Sequence, residues 1–180
     1  MLTELPIIQA PMAGAHDETL AIAVAEAGGL GSLPTALIGP DQTRAQVARF
    51  RERTRAPVNL NFMCHAMPPG DPARDAAWQS KLRPYFAELG AQPSSGPSRA
   101  PFDEESCALV EELRPEIVSF HFGMPAEPLV ARVKATGARV LSCATTVAEA
   151  THLEAAGCDA IIAQGAEAGG HRGMFLTDDV

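Results

Sequence analysis

The sequence has few basic residues and no long apolar run, and each shortage excludes a class of protein. Lys and Arg total 14 against 22 Asp and Glu, which gives a formal net charge of -8. This balance offers no basic face to a nucleic-acid backbone or an anionic membrane, so we expect neither partner. No apolar run approaches the roughly 20 residues that a membrane span needs, and no secretion signal opens the sequence, so we expect a cytoplasmic protein.

Cysteines are also few, and their spacing does not match that of a metal site. Cys64, Cys107, Cys143 and Cys158 lie far apart, without a CxxC pair or a histidine at zinc-finger spacing. We therefore expect reduced thiols and no metal site. Cys143 falls inside a predicted strand, and we interpret it as a small buried hydrophobic residue rather than a nucleophile.

The remaining composition, 46% hydrophobic and 20% charged, is typical of a globular domain. Short apolar runs alternate with longer helical patterns along the whole chain, which indicates repeated β-α units on a parallel sheet. The six predicted strands are 6–10, 30–33, 58–62, 117–121, 140–144 and 160–163.

Helix start and stop signals separate these runs. Asp17 and Asp71 precede helical patterns, and Thr146 with Glu149 three residues later has the spacing of a capping box. Residues 91–101, which are rich in Pro, Ser and Gly, predict a flexible surface insertion. Because the β-α rhythm resumes after it, we expect one domain over residues 1–180.

Two architectures use this rhythm, an open doubly wound sheet and a closed (β/α) barrel. A dinucleotide-binding sheet would carry GxGxxG after its first strand, whereas here residues 9–14 read QAPMAG. We therefore predict an α/β fold of the TIM-type (β/α)-barrel class. The barrel is incomplete in this chain, with about six of the eight β-α units.

In such a barrel the working groups lie at the carboxyl ends of the strands. The residues found there are Met12, Asn61, His121, Thr145, Thr146, Gln164 and the run from Gln164 to His171. This last run is rich in glycine, which lets backbone N–H groups approach a flat or charged ligand. Gln164 can offer a donor and an acceptor to a heterocycle, and His171 can act as a titratable base. No role is predicted for His16 or His152.

Four motifs occur in the order found in one enzyme family. They are QAPMAG at 9–14, AGGLG at 27–31, SFHFG at 119–123 and AQGAEAGGHRG at 163–173. Together they resemble the nitronate monooxygenase family, formerly called 2-nitropropane dioxygenases. The resemblance implies an FMN-dependent (β/α) barrel that oxidises alkyl nitronates, such as propionate 3-nitronate, with O2 and without a metal.

The resemblance also implies site residues. His171 matches the catalytic histidine, which would take a proton from the carbon beside a nitro group or stabilise a bound nitronate. Met12, Asn61, Gln164 and Gly169 match positions that contact FMN, although Asn59 shares a strand face with Asn61. For His121 we weigh contact with substrate evenly against a core role.

Two alternatives stay open. The same resemblance admits an FMN-dependent enoyl-acyl-carrier-protein reductase or an NADH:quinone reductase. The sequence also stops before the strands that bind phosphate in such barrels, so a truncated, non-catalytic fragment is the other alternative. An unclosed barrel exposes strand edges, which is compatible with a homo-oligomer.

Overall fold

The computed structural model of the protein describes residues 3–93 and 100–177. Within them, the strands are β1 (Gly31–Pro34), β2 (Val58–Met63), β3 (Ile117–His121), β4 (Arg139–Ala144) and β5 (Ala160–Ala163). The helices are α1 (Glu18–Glu26), α2 (Pro40–Arg53), α3 (Pro72–Leu89), α4 (Glu104–Leu113), α5 (Glu127–Ala135) and α6 (Val147–Ala155).

The strands form one parallel sheet whose spatial order, β1-β2-β3-β4-β5, is the order in the chain. A doubly wound sheet reverses its strand order at a switch point, and no reversal occurs among the described strands. The prediction of an α/β fold of the (β/α)-barrel type, incomplete in this chain, is confirmed.

The two faces of the sheet differ in chemistry. One face packs against the helices and carries the main hydrophobic core, in which Leu60, Phe120 and Val140 are fully buried. The opposite face has a small apolar cluster of Leu30, Ile117 and Leu141. Because side chains alternate along a strand, the same opposite face also carries a band of buried polar residues. These are Ser32, Asn59, Asn61 and Ser119.

The strand predicted at residues 6–10 is reduced to one bridge, between Ile8 and Leu30. Backbone bonds join Leu30 N to Ile7 O at 2.9 Å and Gln9 N to Leu30 O at 3.0 Å. Pro6 and Pro11 flank this stretch and have no N–H to extend the ladder. The position of this segment beside β1 was therefore correct, but its assignment as a full strand was wrong.

The predicted helix starts are confirmed by their caps. The Asp17 side chain accepts a hydrogen bond from Thr19 N, and Asp71 accepts one from Arg74 N. Most of the insertion predicted at 91–101 lies outside the described residues. None of the helices in the described ranges is both long and apolar enough to cross a membrane.

Candidate active site

The parallel arrangement brings the carboxyl ends of all five strands to one rim of the sheet. His65 follows β2, Phe122 follows β3, Thr145 follows β4 and Gln164 follows β5. In (β/α) barrels this rim is where catalytic groups collect. The loop after β5 returns across the rim and carries His171.

Phe122 is the point at which three histidines of the rim meet. Its ring centroid lies 4.4 Å from that of His121, 5.9 Å from that of His171 and 6.3 Å from that of His65. Phe122 has φ +66°, in the left-handed region that bulky residues rarely adopt, and Gly123 follows it with φ +94°. This turn aims the Phe122 ring at the imidazoles, and the local strain marks a candidate functional site.

His121 is half-buried and lies directly beneath the loop that carries His171. Burial lowers the pKa of His121, and electrostatic interaction with His171 acts in the same direction, while a hydrogen bond with the His171 backbone opposes them. The pKa of His121 thus lies below its ordinary value near 6.5, which favours the neutral imidazole at pH 7. Gly173 passes so close that a Cβ there would lie 2.8 Å from His121 Cε1.

Gln164 fixes the loop that carries His171. Its Oε1 accepts a hydrogen bond from Gly173 N at 2.7 Å, and its Nε2 donates to His171 O at 3.0 Å. An amide NH2 group has two N–H donors, so one N–H of Gln164 remains for a ligand. The structure thus brings Gln164, His121 and His171 together, while the His171 side chain itself is exposed.

Met12 and Gly169 are both exposed. Met12 is exposed, and its backbone N–H donates to His16 Nε2 at 3.1 Å. His16, for which the sequence predicts no role, also contacts Asp17 O through Nδ1 at 3.1 Å, so it holds the Met12 turn. Gly169 is exposed, and a Cβ there would meet no atom within 4 Å.

Asn61 and Asn59 both belong to the buried polar band of β2. Asn61 Nδ2 donates to Ser119 Oγ at 2.9 Å, and Asn59 Nδ2 donates to Ser32 Oγ at 3.0 Å. The Oδ1 atom of Asn59 is buried without a hydrogen-bond partner. A buried acceptor without a partner is costly, but Asn59 lies near the amino end of β2 and therefore away from the rim.

Sequence reasoning missed His65. It is half-buried, and its Nδ1 is a buried polar atom without a hydrogen-bond partner. The signal was available, because His65 follows the carboxyl end of β2 just as Gln164 follows β5.

Burial disfavours the thiolate form of the cysteines. All four cysteines are free, and burial raises the pKa of Cys64 to about 12 and also raises that of Cys143. Cys143 is half-buried rather than fully buried, and its raised pKa fits the interpretation of a small hydrophobic residue rather than a nucleophile. In residues 3–93 and 100–177, no cluster of three or more His, Cys, Asp or Glu side chains could hold a metal ion.

Comparison with known proteins shows the family to which the chain belongs. The sequence profile described as nitronate monooxygenase matches residues 1–180. A nitronate monooxygenase of Pseudomonas aeruginosa PAO1 is 48% identical over 177 residues, covering 94% of this chain and 50% of that protein. Another, of Paraburkholderia phytofirmans, is 46% identical over 177 residues, covering 96% and 48%.

A solved structure has a similar fold. Nitroalkane oxidase from Streptomyces ansochromogenes matches with a TM-score of 0.82 at 38% identity, covering 96% of this chain and 50% of that chain. The present chain thus spans about half the length of the curated relatives it matches. The matching profile, the two sequence relatives and the shared fold together show that the chain belongs to the nitronate monooxygenase family, a family of flavin-dependent oxidoreductases.

Proposed function

We propose that the full-length protein is an FMN-dependent nitronate monooxygenase that oxidises alkyl nitronates, such as propionate 3-nitronate, with O2. The observation that carries the proposal is the placement of His171. Its exposed imidazole stands at the carboxyl rim of the sheet, 5.9 Å from Phe122 between ring centroids, on a loop fixed by Gln164. Membership of the family supports the same reaction.

The rim has groups that fit a flavin. The buried, unpartnered Nδ1 of His65 and the remaining N–H of Gln164 can form hydrogen bonds with a heterocycle. Met12 offers an exposed apolar side chain, and the glycine at 169 leaves open space for close backbone approach. We assign Met12, Asn61, Gln164 and Gly169 to FMN binding.

The bound flavin would supply the one-electron oxidation of the nitronate, before O2 completes the reaction. The protein's own contribution is to position substrate and move protons. With a nitroalkane, His171 takes the proton from the carbon beside the nitro group. With a nitronate, it stabilises the anion. His121, half-buried below the same loop with a lowered pKa that favours its neutral form, can contact the substrate.

The test is turnover by the full-length protein after FMN loading. We expect O2 consumption with propionate 3-nitronate and no rapid flavin bleaching on anaerobic mixing with NADH or NADPH. Rapid bleaching together with no nitronate turnover would instead identify a reductase of the same superfamily and overturn the proposal. Absence of FMN from the full-length protein would overturn it as well.

A further inference from the structure

The side chain of Glu149 forms hydrogen bonds that a capping box does not explain. Thr146 Oγ1 accepts the expected hydrogen bond from Glu149 N at 3.2 Å. In a capping box the glutamate side chain would accept a bond from the N–H of the cap residue itself. The Glu149 side chain is instead completely buried and lies among other donors.

The carboxylate of Glu149 joins two distant segments. Its Oε2 accepts hydrogen bonds from Thr145 N and Thr145 Oγ1, both at 2.7 Å. Its Oε1 accepts from Phe175 N at 2.7 Å and from Leu176 N at 3.3 Å. Because all four partners are donors, the site fits an ionised carboxylate and attaches the stretch after His171 to the loop between β4 and α6.

Phe175 carries this attachment toward the rim. A Cβ added to Gly123 would lie 3.1 Å from Phe175 Cδ2, so the Phe175 ring lies directly against the turn that holds Phe122. The neighbouring strand β4 also fixes this turn, because Ser142 Oγ donates a hydrogen bond to Gly123 O at 2.9 Å. A continuous set of contacts therefore leads from Glu149 through Phe175 and Gly123 to the ring that meets His171.

We propose that Glu149 is a positioning residue for His171. Gln164 holds the loop at His171 O and Gly173 N, and Glu149 fixes the following stretch at Phe175 and Leu176, so the imidazole is held against Phe122. The inference rests on the proposed catalytic role of His171. Displacement of a catalytic group by about 1 Å can cost roughly 100-fold in rate, so such an attachment matters for turnover.

The substitution Glu149→Gln tests the charge pattern with little change in shape. An amide has one acceptor oxygen and one NH2 group. In one orientation the NH2 group of the glutamine would face Thr145 N–H, and in the other it would face the N–H groups of Phe175 and Leu176. Either way two donors would face each other and a hydrogen bond would be lost. The matched control is Glu154→Gln, which removes a carboxylate from an exposed position of the same helix.

Both variants are made in the flavin-loaded full-length protein and measured in two ways. Hydrogen exchange of the peptide spanning residues 172–177 reports the attachment, and kcat per bound flavin and KM for propionate 3-nitronate report its effect on His171. For Glu149→Gln we expect exchange to accelerate roughly tenfold or more and kcat to fall roughly tenfold or more with KM little changed. Glu154→Gln should match the wild type in both.

Unchanged exchange in Glu149→Gln would overturn the inference whatever the activity, and so would faster exchange with unchanged kcat. If Glu149→Gln does not fold, Glu149→Asp, which keeps the charge but shortens the reach, is judged by the same two outcomes. If the wild type oxidises no nitronate, the proposed function fails, and the exchange measurement then decides whether Glu149 holds the loop.

Discussion

Gly173 lies where no side chain fits, between His121 and Gln164. A Cβ there would lie 2.8 Å from His121 Cε1 and 3.3 Å from Gln164 Oε1. We expect Gly173→Ala to displace one of these side chains and to lower kcat of the full-length protein roughly tenfold or more. Gly70→Ala is the control, because a Cβ at Gly70 would meet nothing within 4 Å. Equal kcat in the two variants would contradict this view of the loop.

Glu149 also makes stability depend on pH. Burial raises the pKa of its carboxyl, but the hydrogen bonds from Phe175, Thr145 and Leu176 outweigh burial and hold the pKa below its ordinary value near 4.5. A carboxyl whose folded pKa is lowered stabilises the fold above its unfolded pKa, and this stabilisation is lost as the pH falls through the folded value.

We therefore expect the unfolding free energy of Glu149→Gln to lie about 1–3 kcal/mol below that of the wild type at pH 7. The difference should shrink as the pH falls below 4.5. Denaturant unfolding at a series of pH values measures it. A difference that is the same at acid and neutral pH would show that the charge of Glu149 contributes nothing.

Among the helices, α3 is the least supported. It has no buried residue, contains Pro84 in its interior and exposes Trp78 and Tyr85 by more than half. By contrast, α4 buries Cys107, Leu109 and Val110. Since most helical stability in proteins comes from tertiary packing, α3 should open more readily than α4.

Hydrogen exchange of the 180-residue chain tests this difference. We expect backbone amides of α3 to exchange at least roughly tenfold faster than those of α4. Comparable protection in the two helices would show that α3 is held by contacts that its exposure does not reveal.

At the scale of elements, local signals predicted well. The strand at 117–121, the caps at Asp17 and Asp71 and the strand at 160–163 follow from short-range patterns and are confirmed. The prediction of a full strand at 6–10 was wrong because Pro6 and Pro11 have no N–H group to continue the pairing with the segment at Leu30. The attachment of Phe175 to Glu149 was also beyond prediction, since 26 residues separate the two partners.

For the molecule as a whole, the edge strand β5 is the most exposed strand of the sheet. All four of its residues are exposed, including Ile161 and Ile162. An unpaired apolar edge is a template for pairing with another chain. We expect the 180-residue chain to self-associate as its concentration rises, which sedimentation velocity would detect.

The matched substitutions are Ile161→Lys on this edge and Val147→Lys at an exposed apolar position of α6. A charge on an edge strand opposes pairing, so only Ile161→Lys should reduce association. If both variants sediment like the unaltered chain, association does not involve β5.

The whole account depends on His171 acting at the carboxyl rim of a (β/α) barrel. The most direct test compares kcat/KM for propionate 3-nitronate between the wild-type full-length protein and His171→Asn, both loaded with FMN. Loss of a catalytic base or anion-stabilising group costs about 100-fold or more, so we predict a fall of at least that size with flavin content unchanged. A His171→Asn protein that keeps kcat/KM within about threefold of the wild type, a loss far below that of a catalytic group, would contradict the account.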